Sequence, residues 1–308
     1  MTDARNAGAL TGEKILVVGA TGQVAFPLTL SLAGSNEVWA AARFRNPDAR
    51  NRLEEAGVRC AEIDLVAGSF GELPDDFSYV LNLSVVHTNN WGKALDGNAG
   101  GAGGLMWHCR AAKAFLHCSS TGVYQPDHHR RFAEGDPLGD SHRPLLPTYS
   151  ISKVAAEAVV RFCARQLGLP TTIARLNVPY GDTFGLPLMH LETMVAGHPV
   201  EVHTDAPSLY NPIHADDILA TVPKLLAVAD VPATVVNWAG NDVVSVEDWC
   251  AYLGELTGLE PTFVHTDAAI PSVAVDLTRM HELIGPTTVE WRDGFRRMVS
   301  ARHPELVG

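Results

Sequence analysis

Two side chains in the 308-residue sequence have the types and spacing of an acid/base pair, Tyr149 and Lys153 in the run Tyr-Ser-Ile-Ser-Lys. Residues four apart on a helix share one face. A free phenol stays protonated well above neutral pH, and an ammonium beside it favours the phenolate. Tyr149 would then exchange a proton with a substrate hydroxyl or carbonyl near pH 7. Upstream, Ser119, Ser120 and Thr121 close an apolar run that begins at Ala114. Any of the three hydroxyls could donate to a developing alkoxide, and the residue types alone do not choose among them.

A second constellation reads as a phosphate cradle. The apolar run Lys14 to Val18 ends in Gly19-Ala-Thr21-Gly22-Gln23-Val24-Ala25. One glycine permits the tight turn, the next lets backbone approach a pyrophosphate, and a small third residue packs helix on strand. The helix that follows offers free N–H groups to the phosphates. Ala25 stands where the last glycine is usual, at a packing position. An NAD site ordinarily ends its second strand with an acid for the ribose 2′-hydroxyl. Here that strand ends Ala42-Arg43-Phe44-Arg45. A guanidinium suits a 2′-phosphate, so NADP is the expected cofactor and NAD the second choice. Solvated arginines, or arginines stacked on adenine, are the rival reading. Asp64, at the end of the third apolar run, is placed to accept from an adenine amino group or to serve as an ordinary loop acid.

The elements that must position these groups alternate. Apolar runs at 14–18, 37–42, 59–63, 79–84, 114–118 and 171–176 read as strands. Helical patterns follow Gly22 to Ala33 and fill 47–57, 98–113 and 149–167. That alternation predicts an α/β fold, a doubly wound parallel sheet of Rossmann type. Residues 1–177 form the expected dinucleotide-binding domain, its sheet completed by about 213–238. Residues 178–308 read as an interleaved, mostly substrate-binding C-terminal lobe, with helices at 186–197, 215–229, 245–257 and 276–284, and 1–12 as a loose tail. Apolar residues make up 46% and the formal net charge is −12, which suits a packed core and disfavours nucleic acid as a partner. No apolar stretch is long enough to span a membrane and the N-terminus lacks a signal-peptide pattern, so a cytoplasmic protein with reduced cysteines is expected. His128, His129 and His142 complete no recognisable metal-ligand spacing, and no metal is expected.

The sequence resembles the extended short-chain dehydrogenase/reductase family, the NAD-dependent epimerase/dehydratase type. The loop at 19–25, Asp64-Leu65, Asn82-Leu83-Ser84, Asn98, Ser119 to Tyr124, Tyr149 with Lys153, and Asn211 to Asp217 carry the likeness in the right order. It implies cofactor contacts by Gly19, Thr21, Gly22, Gln23, Val24, Arg43, Asp64, Leu65, Leu83, Ser84, Tyr149 and Lys153. It implies Ser120 as the catalytic hydroxyl, four residues before Tyr124, with Ser119 toward the cofactor. Lys153 would bind the nicotinamide ribose, and Asn98 would shape the site. A homodimer through the helices near 98–113 and 149–167 is also implied. The segment Ser208-Leu-Tyr210-Asn-Pro212 lacks the arginine that grips the diphosphate in members acting on nucleotide sugars. Thr121-Gly122 replaces the Asp-Glu pair of sugar 4,6-dehydratases. His87, Trp91, Thr121 and Tyr210 are candidate substrate contacts. The leading expectation is an NAD(P)-dependent oxidoreductase acting on a small-molecule carbonyl or alcohol; a sugar epimerase-type isomerase and a non-enzymatic NADP-sensing regulator are the alternatives.

Overall fold

The computed structural model describes residues 10–306. The expected tail at 1–12 lies mostly outside that range. Its last residues are not loose, because Gly12 N–H donates to Ser35 O at 2.8 Å and Asn36 Nδ2 to Leu10 O at 2.9 Å. Two compact units divide the chain. The first holds residues up to Ser119, Ile151–Ala174 and Leu219–Val236; the second holds Ser120–Ser150, Arg175–Ile218 and Asn237 onward.

The alternating runs build the sheet. Strands β1 (Lys14–Val18), β2 (Glu37–Ala42), β3 (Arg59–Glu62), β4 (Tyr79–Asn82), β5 (Ala114–Ser120) and β6 (Thr171–Leu176) join Thr234–Trp238 in seven strands. Their order is Thr234–Trp238, β6, β5, β4, β1, β2, β3. β1 lies parallel between β2 and β4, β2 pairs with β3, and β4 pairs with β5. The order therefore reverses between β1 and β4, and the crevice beyond their carboxyl ends is where such sheets bind ligands. Burial on both faces explains the continuous apolar composition of β1, whose Ile15 to Val18 are at most 1% exposed.

Helices α1 (Ala25–Ala33), α2 (Pro47–Glu55), α3 (Trp91–Leu95), α4 (Gly101–His108) and α5 (Tyr149–Leu167) flank the sheet strands in sequence. One core layer sets Leu16, Val80, Phe115 and Ile173 with Leu105 and Met106 of α4 and Val160 of α5. Residues 98–113 depart from the single helix expected. α3 passes through a π turn at Asp96–Gly100 into α4, which stops at His108. The glycines there serve close approach: a Cβ on Gly103 would meet Val159 Cγ1 of α5 at 2.7 Å.

The second unit contains α6 (Leu186–Val195), the start of α7 (Ala215–Ala227), α8 (Val246–Thr257), α9 (Thr278–Ile284) and α10 (Trp291–Arg302). α10 is absent from the sequence-based expectation. It buries Trp291, Phe295, Met298 and Val299, and Phe295 packs edge-on against Tyr180 and Trp291 at 5.0 and 5.3 Å. Arg175 is buried there too, donating to Tyr124 Oη at 3.1 Å and Glu134 O at 3.0 Å. Among the described residues, no helix is long and apolar enough to cross a membrane.

Gly19 fixes the distance between β1 and the segment after β4. Its φ is +82°, and a Cβ would lie 2.8 Å from Ser84 Cα and 2.9 Å from Ser84 N. Both the conformation and the contact exclude a side chain. Gly19→Ala is expected to lower unfolding free energy by about 1–3 kcal/mol, the range for a strained backbone position. Urea unfolding measures it, and an unchanged midpoint would count against this reading of the turn.

Candidate active site

At the sheet crevice of the first unit lies a cavity of about 310 Å³. Gly19, Thr21 and Gly22 form one wall, Arg43, Asp64 and Leu65 another, and Leu83 and Ser84 close it. Eight of the expected cofactor contacts thus converge on one space. Gln23 and Val24 do not line it: Gln23 is exposed and Val24 occupies the N-cap of α1. No side chain caps that helix, but in its first turn Phe26 N–H already donates to Gly22 O at 2.9 Å and Pro27 has no N–H, so the turn offers few donors to an anion. Phe44, Arg45 and Asn46 also line the cavity. Arg43 and Arg45 are exposed, and neither forms an ion pair among the described residues. Asp64 also organises its own turn, its Oδ1 accepting from Val66 N at 2.9 Å and Ala67 N at 3.2 Å.

Lys153 is buried, and its Nζ donates to Cys118 O at 3.0 Å and Ser84 O at 3.5 Å. Burial lowers its pKa from the ordinary lysine value. The ammonium therefore clips α5 to β5 and to the loop after β4. Asn98, in the π turn, reinforces the clip. Its Oδ1 accepts from Val86 N at 2.7 Å, while Nδ2 donates to Val86 O at 3.1 Å and Ser152 Oγ at 3.0 Å.

The three adjacent hydroxyls separate by partner. Ser119 Oγ donates at 2.7 Å to Glu157 Oε1, a buried carboxylate one turn beyond Lys153 on α5. The Ser119 hydroxyl proton is thereby committed to a carboxylate of α5. In the second unit, Ser120 Oγ accepts from Gly122 N at 3.0 Å, which leaves its own proton available. Thr121 Oγ1 donates to Leu176 O at 3.4 Å.

Tyr149 opens α5, its N–H donating to Leu146 O at 3.0 Å. Its ring lies 5.2 Å from that of His142, at an interplanar angle of 36°. His142 is largely enclosed. It packs on Gly122, where a Cβ would come within 2.5 Å of the imidazole, and Ser141 Oγ sits 2.9 Å from its Nδ1. Burial pushes this imidazole down to about 4, so it is neutral at pH 7. Sequence spacing gives no sign of this partner. Glu157 carries a legible signal, since it follows Lys153 by four residues.

Of the candidate substrate contacts, Tyr210 is buried and its hydroxyl donates to Ile270 O and Pro271 O at 3.0 and 3.2 Å. Trp91 stands 48% exposed at the first turn of α3. His87 is exposed, and its pKa is lowered by partial desolvation of the ring and by the Lys153 charge. Among the described residues, no group of three or more His, Cys, Asp or Glu side chains is arranged to hold a metal ion.

A family model, the NAD dependent epimerase/dehydratase family, matches residues 15–237. No curated protein matches the chain. Solved structures share its fold at low identity. UDP-glucuronic acid 4-epimerase from Bacillus cereus, in complex with UDP-glucuronic acid and NAD, is 19% identical with a TM-score of 0.80, covering 94% of this chain and 98% of its own. UDP-N-acetylglucosamine 4-epimerase from Methanobrevibacter ruminantium M1, in complex with UDP-N-acetylmuramic acid, is 14% identical with a TM-score of 0.81, covering 96% and 100%. A dTDP-glucose 4,6-dehydratase from Streptomyces venezuelae with NAD and TYD bound is 17% identical with a TM-score of 0.80, covering 94% and 97%.

The Ser119–Glu157 bond yields a stability prediction. Ser119→Ala strips the 2.7 Å donor from a buried carboxylate. Stability is expected to fall by about 1–3 kcal/mol, the usual cost of unmaking a bond to a buried charged group. A denaturation midpoint equal to that of the unaltered chain would contradict it.

Proposed function

Because the chain belongs to the NAD-dependent epimerase/dehydratase family, we propose that it moves hydride between a nicotinamide cofactor and a carbonyl or alcohol carbon of a small molecule. The observation that carries this reading is α5 itself. Tyr149 and Lys153 stand one turn apart on a single helix, and Lys153 is tied to Cys118 O, two residues before Ser120 on β5. A bound nicotinamide supplies or accepts the hydride. Tyr149 gives its phenolic proton to the substrate oxygen in reduction and takes it back in oxidation. Ser120, with its proton uncommitted, donates to that oxygen as charge develops. Lys153 favours the phenolate and holds the ribose.

The cavity at Gly19 suits a dinucleotide for a concrete reason: Gly19 and Gly22 bring backbone without side chains to one of its walls. Two unpaired arginines at its rim support NADP as the preferred form, with NAD second. Two of the similar folds described above hold NAD, and the two that are 4-epimerases favour a second reading, an isomerase that oxidises and re-reduces one carbon. An isomerase of that kind retains its cofactor through purification; a reductase releases it. We further propose a homodimer through α4 and α5, whose Trp107 and Phe162 are 50% and 52% exposed.

Tyr149→Phe keeps the ring and removes the proton. Turnover is expected to fall by a factor of order 10² or more, the usual worth of general acid/base catalysis, with NADPH binding retained. Ser120→Ala should lose turnover and Ser119→Ala should keep it. An undiminished Tyr149→Phe enzyme would remove the proposed chemistry. Arg43→Ala should weaken NADPH far more than NADH in equilibrium titration; equal weakening, or an unaltered chain that prefers NADH, would refute the choice of NADP.

A further inference from the structure

The second unit contains a cavity of about 380 Å³ whose lining is unlike that of the dinucleotide crevice. One helix face builds its floor. Leu186, Met189, His190 and Thr193 of α6 recur at i, i+3, i+4 and i+7, which aligns them along one stripe. Tyr210, Val200 and Ile270 supply further walls.

Charge is nearly absent from the lining. Among the described residues Glu201 is the only charged side chain there, and it is anionic; no Lys or Arg lines the space. A phosphate or diphosphate needs cations or free N–H groups. Here it would meet a carboxylate and hydrocarbon. The Tyr210 hydroxyl is already spent on two backbone carbonyls, so this residue offers its ring to the cavity and not a hydrogen bond.

Beside the hydroxyls of Thr193 and Ser208, the lining offers the imidazole of His190. Trp249 Nε1–H donates to His190 Nδ1 at 3.0 Å. An indole can only donate, so Nδ1 accepts and the neutral ring carries its proton on Nε2. Burial pushes the His190 imidazole down to about 4, which keeps it neutral at pH 7. No protein group bonds to Nε2 among the described residues. At the cavity also stand Leu145 and Met189, the two most exposed large apolar side chains described, at 61% and 63%. Exposed apolar side chains gathered around a concavity mark a binding site. Leu145 lies in the turn from His142 to Leu146 that carries His142 against the Tyr149 ring.

We propose that this cavity takes the uncharged, apolar ring or chain of the substrate, with an oxygen of that group accepting from His190 Nε2–H, and that it does not take a nucleoside diphosphate. The assignment rests on the hydride-transfer reading above, and it narrows the substrate class to lipophilic ketones and alcohols.

Calorimetric titration of the full chain tests it without turnover, using the Tyr149→Phe variant loaded with NADPH. The probes are 4′-methoxyacetophenone and 4-(4-methoxyphenyl)-2-butanone, whose ether oxygen can meet His190 Nε2–H while the carbonyl stays free for Tyr149, against UDP and UDP-glucose. At least one ketone should bind saturably, about tenfold or more tighter than either nucleotide. Met189→Lys and Leu145→Lys, both at exposed positions that tolerate charge, should each weaken the ketone about tenfold, the size expected when buried apolar contact is lost. Tighter binding of UDP or UDP-glucose, no ketone binding, or a ketone affinity unmoved by both lysine variants would overturn the assignment. A ketone that binds as described but is not reduced by the unaltered chain would instead sink the hydride-transfer reading and leave the cavity assignment standing.

Discussion

A lysine ammonium removed from water must be given back its hydrogen bonds, and in this chain that requirement falls on Lys153. Isolated burial of such a charge costs many kcal/mol, so the partners that satisfy it are structurally binding. They are backbone carbonyls, Cys118 O on β5 and Ser84 O after β4. Neither can be supplied unless β4 and β5 lie side by side and α5 runs across them. The neighbouring bonds follow the same logic. Glu157 is reached by Ser119, and Asn98 joins Ser152 of α5 to the backbone of Val86. One buried polar layer therefore holds the helix, the sheet edge and the loop in register, and the residues proposed for chemistry hang from it.

The same layer accounts for how Ser119 and Ser120 part company. Successive strand residues point to opposite faces. Ser119 is drawn to Glu157, while Ser120 ends the strand with only its oxygen engaged, by Gly122 N. Three hydroxyls that look equivalent in sequence are separated by their partners, a buried carboxylate for Ser119, a backbone N–H for Ser120 and a backbone carbonyl for Thr121. The two cavities differ in a comparable way. The crevice of the first unit is bordered by glycine backbone and unpaired arginines, both fit for phosphate; the cavity of the second unit offers chiefly hydrocarbon and a neutral imidazole. Substrate and cofactor would be discriminated by charge before shape.

Much of the fold is legible from local pattern. The β1–glycine–α1 unit is announced by an apolar run that must be buried on both faces, followed by a residue at φ +82°. The bounds of α5 and β6 match the sequence reading to the residue. Where local pattern fails, non-local packing decides. The glycine-rich stretch before β5 breaks into α3, a π turn and α4 because those glycines seat against α5 and the β4 loop, contacts no window of sequence contains. The pairing of His142 with Tyr149 is invisible in the sequence because residues 142–146 form a turn and not a helix, and it is this turn that brings the rings together. α10 escapes the sequence reading although Trp291, Phe295, Met298 and Val299 fall on one helical face, a signal present but diluted by the arginines between them.

That the buried Lys153 ammonium sets the proton affinity of Tyr149 is tested most directly by the pH dependence of kcat. It is measured for the unaltered chain and for Lys153→Met, on one carbonyl substrate at saturating NADPH. A single ionisation should govern turnover and move upward, toward that of a free phenol, when the lysine charge is removed. An ionisation that stays in place in Lys153→Met would contradict it.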